Sequence, residues 1–194
     1  MTNNRGLPSD GEAVRAERAR LTRLSKQLSL VLRHDPASIG LELAPGGWIG
    51  LADLVRALDA HGHPATLADI ERVVRTSDKQ RFAIEAGRIR ANQGHSLPIE
   101  LGLAAVEPPA RLYHGTVERF LSAIEREGLI RGDRQFVHLS ADRETAERVG
   151  ARRGKPVVLI VDAAGLHSAG QSFFRAENGV WLVEGVPPQY LSTA

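Results

Sequence analysis

The sequence predicts an α+β fold in two lobes, and three observations point there. Leu21, Leu24, Leu28, Val31 and Leu32 recur at helical spacing and make one apolar stripe near the start of the chain. RFAIE and RIRAN, short runs joined at Ala86-Gly87, read as a β-hairpin that closes the first half. From Arg111 onward the texture changes to alternating strands and helices, with the apolar run PVVLIVD as a buried strand.

In chain order, residues 1–12 are polar and Gly/Pro-containing and are expected to be disordered. Ser9-x-x-Glu12 can form a capping box, which opens a helix running to about His34. That helix stops before Pro36, because the residue preceding a proline is pushed out of the α region. APGGWIGLADLVRALDAHG reads as a turn, a short strand at Trp48-Ile49 and a second helix. Thr66-x-x-Asp69 caps a third helix through about Arg75, ahead of the hairpin. Three helices and a terminal hairpin over 13–97 resemble a winged helix, a shape common among nucleic-acid binders that does not by itself assign a role.

Residues 98–109, PIELGLAAVEPP, read as the crossing to a second lobe at 110–194. There RLYHG is a strand, Val117–Glu127 a helix stopped by Gly128, and QFVHLS a strand. A helix over Ala141–Arg153 stopped by Gly154 precedes PVVLIVD, and Asn178-Gly179 turns the final hairpin.

Composition narrows the class. The 194 residues are 42% hydrophobic and 25% charged, as an ordered globular chain would be. No run approaches the roughly 18 uncharged apolar residues of a membrane helix. MTNNRGLPSDGEAVRAERARL lacks the apolar core of a secretory signal. With no cysteine there is no disulfide framework and no thiolate zinc site, so a cytoplasmic protein is expected. The seven histidines lack ligand spacing with carboxylates, and His61-x-His63 sits in a Gly/Pro turn, so no metal is expected. The net charge is only +2, so any anion site must come from local clustering. All but three of the 25 basic residues are arginines, whose guanidinium fork binds two phosphate oxygens at once.

Four strings could carry chemistry. LSKQLSLVLRHDP sets Arg33 and His34 at a helix C-terminus, and SDKQRF sets Arg81 at the start of the hairpin. LYHGT ends a strand on His114, Gly115 and Thr116, and DRQFVHLS spaces Arg134 four residues before His138. Each has an ordinary explanation when taken singly: a helix-dipole partner, a solvated charge, a hydrogen-bonded core histidine. Their joint order and spacing do not.

With GWIGLADL, ANQGHS and NGVWL they resemble the RNA 2′-phosphotransferase family, over about Leu24 to Leu191. The resemblance implies an N-terminal winged-helix lobe that binds RNA, and a C-terminal ADP-ribosyltransferase-like lobe with a split β core. It puts the catalytic groups on Arg33, His34, Arg81 and Arg134. It puts binding of NAD, the co-substrate, on His114, Gly115 and Thr116, on His138, Leu139 and Ser140, and on Asn178, Gly179, Val180 and Trp181. The implied partner is an RNA bearing a 2′-phosphate, such as a tRNA left by splicing. That phosphate attacks the anomeric carbon of the nicotinamide ribose, and the neighbouring hydroxyl then attacks phosphorus.

Several details stay open at this level. Many ADP-ribosyltransferases place a glutamate where ENGVWL has Val180, which fits a substrate phosphate that supplies its own charge and nucleophile. His34 can relay a proton or hydrogen-bond the phosphate, and Trp181 can flank nicotinamide or fill the core. Gly115 suggests close backbone approach to the ligand. Two rival readings use the same residues: an enzyme that caps nucleic-acid 5′-phosphates with ADP-ribose, and a non-enzymatic winged-helix regulator. Against the second, Arg33-His34 and Arg81 do not make the row of base-reading side chains a recognition helix carries.

Overall fold

The computed structural model describes residues 10–77 and 79–193. The capping box expected on Ser9 lies outside the described residues; of the stretch 1–12, Asp10, Gly11 and Glu12 begin the first helix. The fold is mixed α and β, in two compact units, Met1–Ala91 and Asn92–Ala194.

The first unit is built on helix α1 (Asp10–Arg33). Its apolar stripe buries Leu24, Leu28, Val31 and Leu32, as the spacing predicts. Each such side chain contributes roughly 1.5–3 kcal/mol on leaving water. The helix ends at Arg33, and Asp35 then accepts from Ser38 N at 3.0 Å to cap a single 3-10 turn begun by Pro36. Strand β1 (Ile49–Gly50) and helices α2 (Leu51–Ala60) and α3 (Leu67–Arg75) follow. The strand lies one residue later than Trp48-Ile49 suggested.

Helix α3 opens on the expected capping box. Asp69 N donates to Thr66 Oγ1 at 3.2 Å, and Thr66 N donates to Asp69 Oδ2 at 3.0 Å. The other Asp69 oxygen accepts from Arg20, which also holds Glu17, so one carboxylate both caps α3 and ties it to α1. Strands β2 (Phe82–Glu85) and β3 (Arg88–Ala91) make the hairpin, in sheet order β1-β3-β2. Ala86 and Gly87 turn it with φ of 46° and 72°, the two left-handed residues of a type I′ turn. Leu28, Leu54, Ile70, Phe82 and Ile89 share the core of this unit.

The second unit has three small sheets. Strand β4 (Arg111–Val117) pairs antiparallel with β7 (Pro156–Asp162) over seven residues, and β11 (Leu191–Thr193) flanks β7. Strand β6 (Val137–Leu139) pairs with β9 (Trp181–Val183), which pairs with β8 (Phe174–Arg175). Two short strands, β5 (Leu129–Ile130) and β10 (Gly185–Val186), pair separately. The two main sheets meet at one residue pair: Tyr113 N donates to Ser140 O at 2.9 Å, and Ser140 N to Tyr113 O at 2.8 Å.

The helices depart in detail from expectation. Val117 completes β4, a 3-10 turn takes Glu118–Phe120, and α4 covers only Leu121–Glu127. Gly128 ends α4 at φ 78°, where a Cβ would lie 2.1 Å from Val186 O. Asp142 delays α5 to Arg143–Gly150 by accepting from Thr145 N at 2.7 Å, and Ala151–Arg153 form a separate 3-10 turn. Helix α6 (Ala163–Ser168) was not expected. The stretch 98–109, read as a crossing, packs within the second unit. Leu101 is buried, Val106 N donates to Phe173 O, and the Gln135 amide donates to Leu97 O and Ile99 O. Among the described residues no helix is long and apolar enough to cross a membrane.

Arg20 holds the Asp69 carboxyl well below the usual carboxylate range, helped by the bonds from Thr66. A depressed folded-state value means stability present above the unfolded value, about 4, and lost as pH falls below it. Asp69→Asn should therefore cost about 1–2 kcal/mol at pH 7, and the difference from wild type should shrink toward pH 2. Urea unfolding followed by Trp48 fluorescence in a Trp181→Phe background reports this unit; a pH-independent difference would refute the assignment.

Candidate active site

The first unit brings Arg33, His34 and Arg81 together, although the last two lie 47 positions apart in sequence. Arg33, in the last turn of α1, is half-buried, and its Nη2 donates to the Arg81 carbonyl at 3.3 Å. Its guanidinium carbon lies 5.8 Å from the centroid of the buried Phe82 ring. Helix end and strand start are thus joined by a charge-assisted bond from side chain to backbone. Arg81 follows Gln80, whose φ of 39° is a left-handed turn that a non-glycine residue adopts at some cost. His34 is exposed, its backbone N–H still bonded to Leu30 O at 2.9 Å. His34 and Arg81 both line a groove of about 1000 Å³ along α1. The elements are short-range consequences of Pro36 and of the hairpin; the meeting is a tertiary fact.

The second unit gathers His114, His138 and Arg134. His114 Nδ1 lies 3.1 Å from His138 O, and a carbonyl only accepts, so the ring proton sits on Nδ1. Burial holds the His114 pKa below the ordinary histidine range; Arg153 lowers it further, while the bond to His138 O opposes both. The folded protein therefore presents a neutral imidazole whose Nε2 is an acceptor. Arg134 Nη1 approaches His138 Nδ1 at 3.4 Å; a guanidinium only donates, so this nitrogen of His138 accepts. Burial and then Arg153 lower the Arg134 pKa, yet arginine remains charged.

Arg153 is the group that sequence reasoning missed. It acts on both His114 and Arg134, and it stacks 5.9 Å from the Phe120 ring, which Arg119 also approaches at 4.9 Å. The RRG that ends the α5 segment was visible, but nothing local says that its second arginine turns toward β4.

Other expected residues take structural duties. Gly115 admits the backbone of α5: a Cβ there would sit 1.8 Å from Ala146 O. Its small size serves helix packing on β4, and Thr116 beside it is buried. Leu139 and Trp181 are paired in register, and both side chains are buried in the hydrophobic core. Ser140 spends its backbone on Tyr113. Asn178, Gly179 and Val180 form the half-buried turn before β9, with Gly179 at φ 79° and Asn178 Oδ1 accepting from Val180 N at 3.4 Å. Val180 leaves this turn without a carboxylate at that position. His61 caps α2 by a ring contact to Ala57 O at 2.8 Å. Among the described residues no cluster of three or more His, Asp or Glu side chains could hold a metal ion.

A model of the family described as RNA 2'-phosphotransferase, Tpt1 / KptA family, matches residues 19–185. A probable RNA 2'-phosphotransferase of Streptomyces coelicolor is 54% identical over 175 residues, covering 90% of this chain and 96% of its own. One from Agrobacterium fabrum is also 54% identical, covering 89% of this chain and 94% of its own. The Nostoc punctiforme relative is 49% identical, with 89% and 97% covered. The chain belongs to the RNA 2′-phosphotransferase family.

Gly115→Ala separates packing from ligand approach. The Cβ clash with Ala146 O forces α5 away from β4, so thermal unfolding should show a loss of about 3 kcal/mol or more. A variant of unchanged stability would return Gly115 to a purely ligand-facing role.

The neutral His114 adds a pH dependence. As pH falls through about 6.5, the unfolded chain takes up a proton that the folded chain refuses, so this contribution to stability declines. In an NMR titration the His114 ring should titrate below the ordinary histidine value of about 6.5; a midpoint above 6.5 would contradict its burial.

Proposed function

We propose that this chain is an NAD-dependent RNA 2′-phosphotransferase, and that Arg33, His34, Arg81 and Arg134 are its catalytic groups. The observation that carries the reading is the end of the first unit's groove lined by His34 and Arg81, with the neighbouring Arg33 anchored on the Arg81 backbone. Such an end suits a phosphate dianion. We take the first unit as a winged-helix lobe for RNA, supported by its three helices and three-stranded sheet with a hairpin. The second unit we take as an ADP-ribosyltransferase-like lobe, supported by two sheets touching at the Tyr113–Ser140 pair.

NAD, as co-substrate, supplies an electrophilic ribose carbon with nicotinamide as leaving group. The RNA 2′-phosphate oxygen attacks that carbon as the bond to nicotinamide breaks. The adjacent ribose hydroxyl then attacks phosphorus, releasing the RNA 2′-OH and ADP-ribose 1″,2″-cyclic phosphate. The chain's own residues divide this work. Arg33, Arg81 and Arg134 neutralise the phosphate oxygens as charge builds on phosphorus, the step where such groups contribute most. His34, which is exposed, moves the proton between the incoming and outgoing hydroxyls. Neutral His114 accepts a ribose hydroxyl at Nε2, and the Asn178–Val180 turn and the strand from His138 to Ser140 border the same ligand. Val180 suits a reaction whose nucleophile brings its own negative charge. On this reading the enzyme works in the cytoplasm on RNA such as tRNA, with no metal.

Incubation of a 2′-phosphorylated RNA with NAD should yield ADP-ribose 1″,2″-cyclic phosphate. A product that stops at an ADP-ribosylated 5′ end would favour the capping activity instead, and binding of duplex DNA without turnover a regulator. Arg33→Ala and Arg81→Ala should each lower RNA turnover by about 10²–10³ while NAD affinity holds. His34→Ala should let ADP-ribosylated RNA accumulate in rapid-quench experiments; equal loss of both steps would make this histidine a phosphate ligand.

A further inference from the structure

We propose that the groove along α1 holds the RNA strand leading away from the 2′-phosphate, gripping it by its backbone phosphates and not by its bases. The inference rests on the phosphotransferase reading and adds to it a track for the rest of the substrate.

The groove starts at His34 and Arg81 and runs back along α1 to Ala13. At about 1.5 Å per residue, the helix from Ala13 to Arg33 is about 30 Å long. A groove of about 1000 Å³ over that length is long and shallow, the shape of an extended strand.

The charge of the walls is one-sided. Arg18 and Lys26 on α1 face Arg72, Lys79 and Arg81 across the groove, while Glu17 is the only carboxylate among the described lining residues. Glu17 is itself taken up by Arg20 at 2.8 Å and by Arg72 at 3.2 Å. Against a whole-chain net charge of +2, this cationic excess is local, as a phosphate track requires.

The polar uncharged lining agrees. Ser25, Lys26 and Ser29 lie on one face of α1 at spacings of three and four residues. The Thr22 and Thr76 hydroxyls are turned back onto Arg18 O and Arg72 O, each at 2.8 Å, which leaves Ser25 and Ser29 to donate to phosphate oxygens. No Phe, Tyr or Trp is among the described lining residues, so base stacking, the usual second grip on a single strand, is missing. Recognition should then be indifferent to base identity.

The test compares a 2′-phosphorylated dinucleotide with RNAs extended on the 5′ side only or the 3′ side only, each turned over with NAD. In the wild type, extension on one side should lower KM about tenfold at low salt. Each engaged phosphate should steepen the log KM against log salt dependence by about 0.7. Changing the bases of the extension should leave KM unaltered. Lys26→Glu and Lys79→Glu, with folding checked by circular dichroism, should abolish the gain so that long and short substrates share one KM. Ser29→Glu serves if either variant fails to fold. A dinucleotide that is turned over with no advantage from extension on either side overturns the groove alone, as does a full gain in both lysine variants. A gain that depends on base sequence also overturns it. Failure of every 2′-phosphorylated RNA to react overturns the enzymatic reading, and this inference with it.

Discussion

The architecture of the second unit depends on the two backbone hydrogen bonds exchanged by Tyr113 and Ser140. They join sheets whose strands otherwise pair only among themselves, and they do so beside the residues proposed to hold the co-substrate. One residue after Tyr113, His114 reaches across to the carbonyl of His138, two residues before Ser140, so a side chain repeats the link the backbone has just made. Burying that ring would cost free energy if it were charged, and the folded state keeps it neutral. Sheet junction and imidazole tautomer are therefore one piece of structure: separating the sheets would also free the ring to protonate.

Charge in this chain is placed, not accumulated. A net charge of +2 hides groups whose surroundings differ sharply. Arg20 is matched against Glu17 and Asp69 and serves as a strut between helices. Arg134 and Arg153 lie near enough for each other's charge to be felt, an arrangement that folding alone would avoid. Concentrated like charge costs stability and gains from an anion, which is the usual signature of a site rather than a scaffold.

How much could be read from residues alone followed the range of the interactions. The α1 stripe, the Thr66 cap and the Ala86-Gly87 turn are set by neighbours within a few positions, and they were legible. The strands β5 and β10 have two residues each, too few to show a period. The start of α5 depended on recognising Asp142 as a cap ahead of a run that looked helical from Ala141. The packing of 98–109 is made by Gln135 and Phe173, remote in sequence, and a Pro-rich string gives no sign of it. In the site, residue types pointed to phosphate chemistry, whereas the duty of Gly115 and the position of Arg153 belong to tertiary contacts.

Arg33 is steadied by the main-chain oxygen of residue 81 and by the Phe82 ring, not by the side chain at position 81. Position 81 thus carries two independent messages in different atoms: its carbonyl builds the scaffold, and its guanidinium is the group proposed to meet phosphate. Any residue but proline, whose ring would constrain the backbone there and at Gln80, leaves that carbonyl in place. The scaffold is in this sense deaf to mutation at the very position where the proposed chemistry is most exposed to it, so the two can be altered separately.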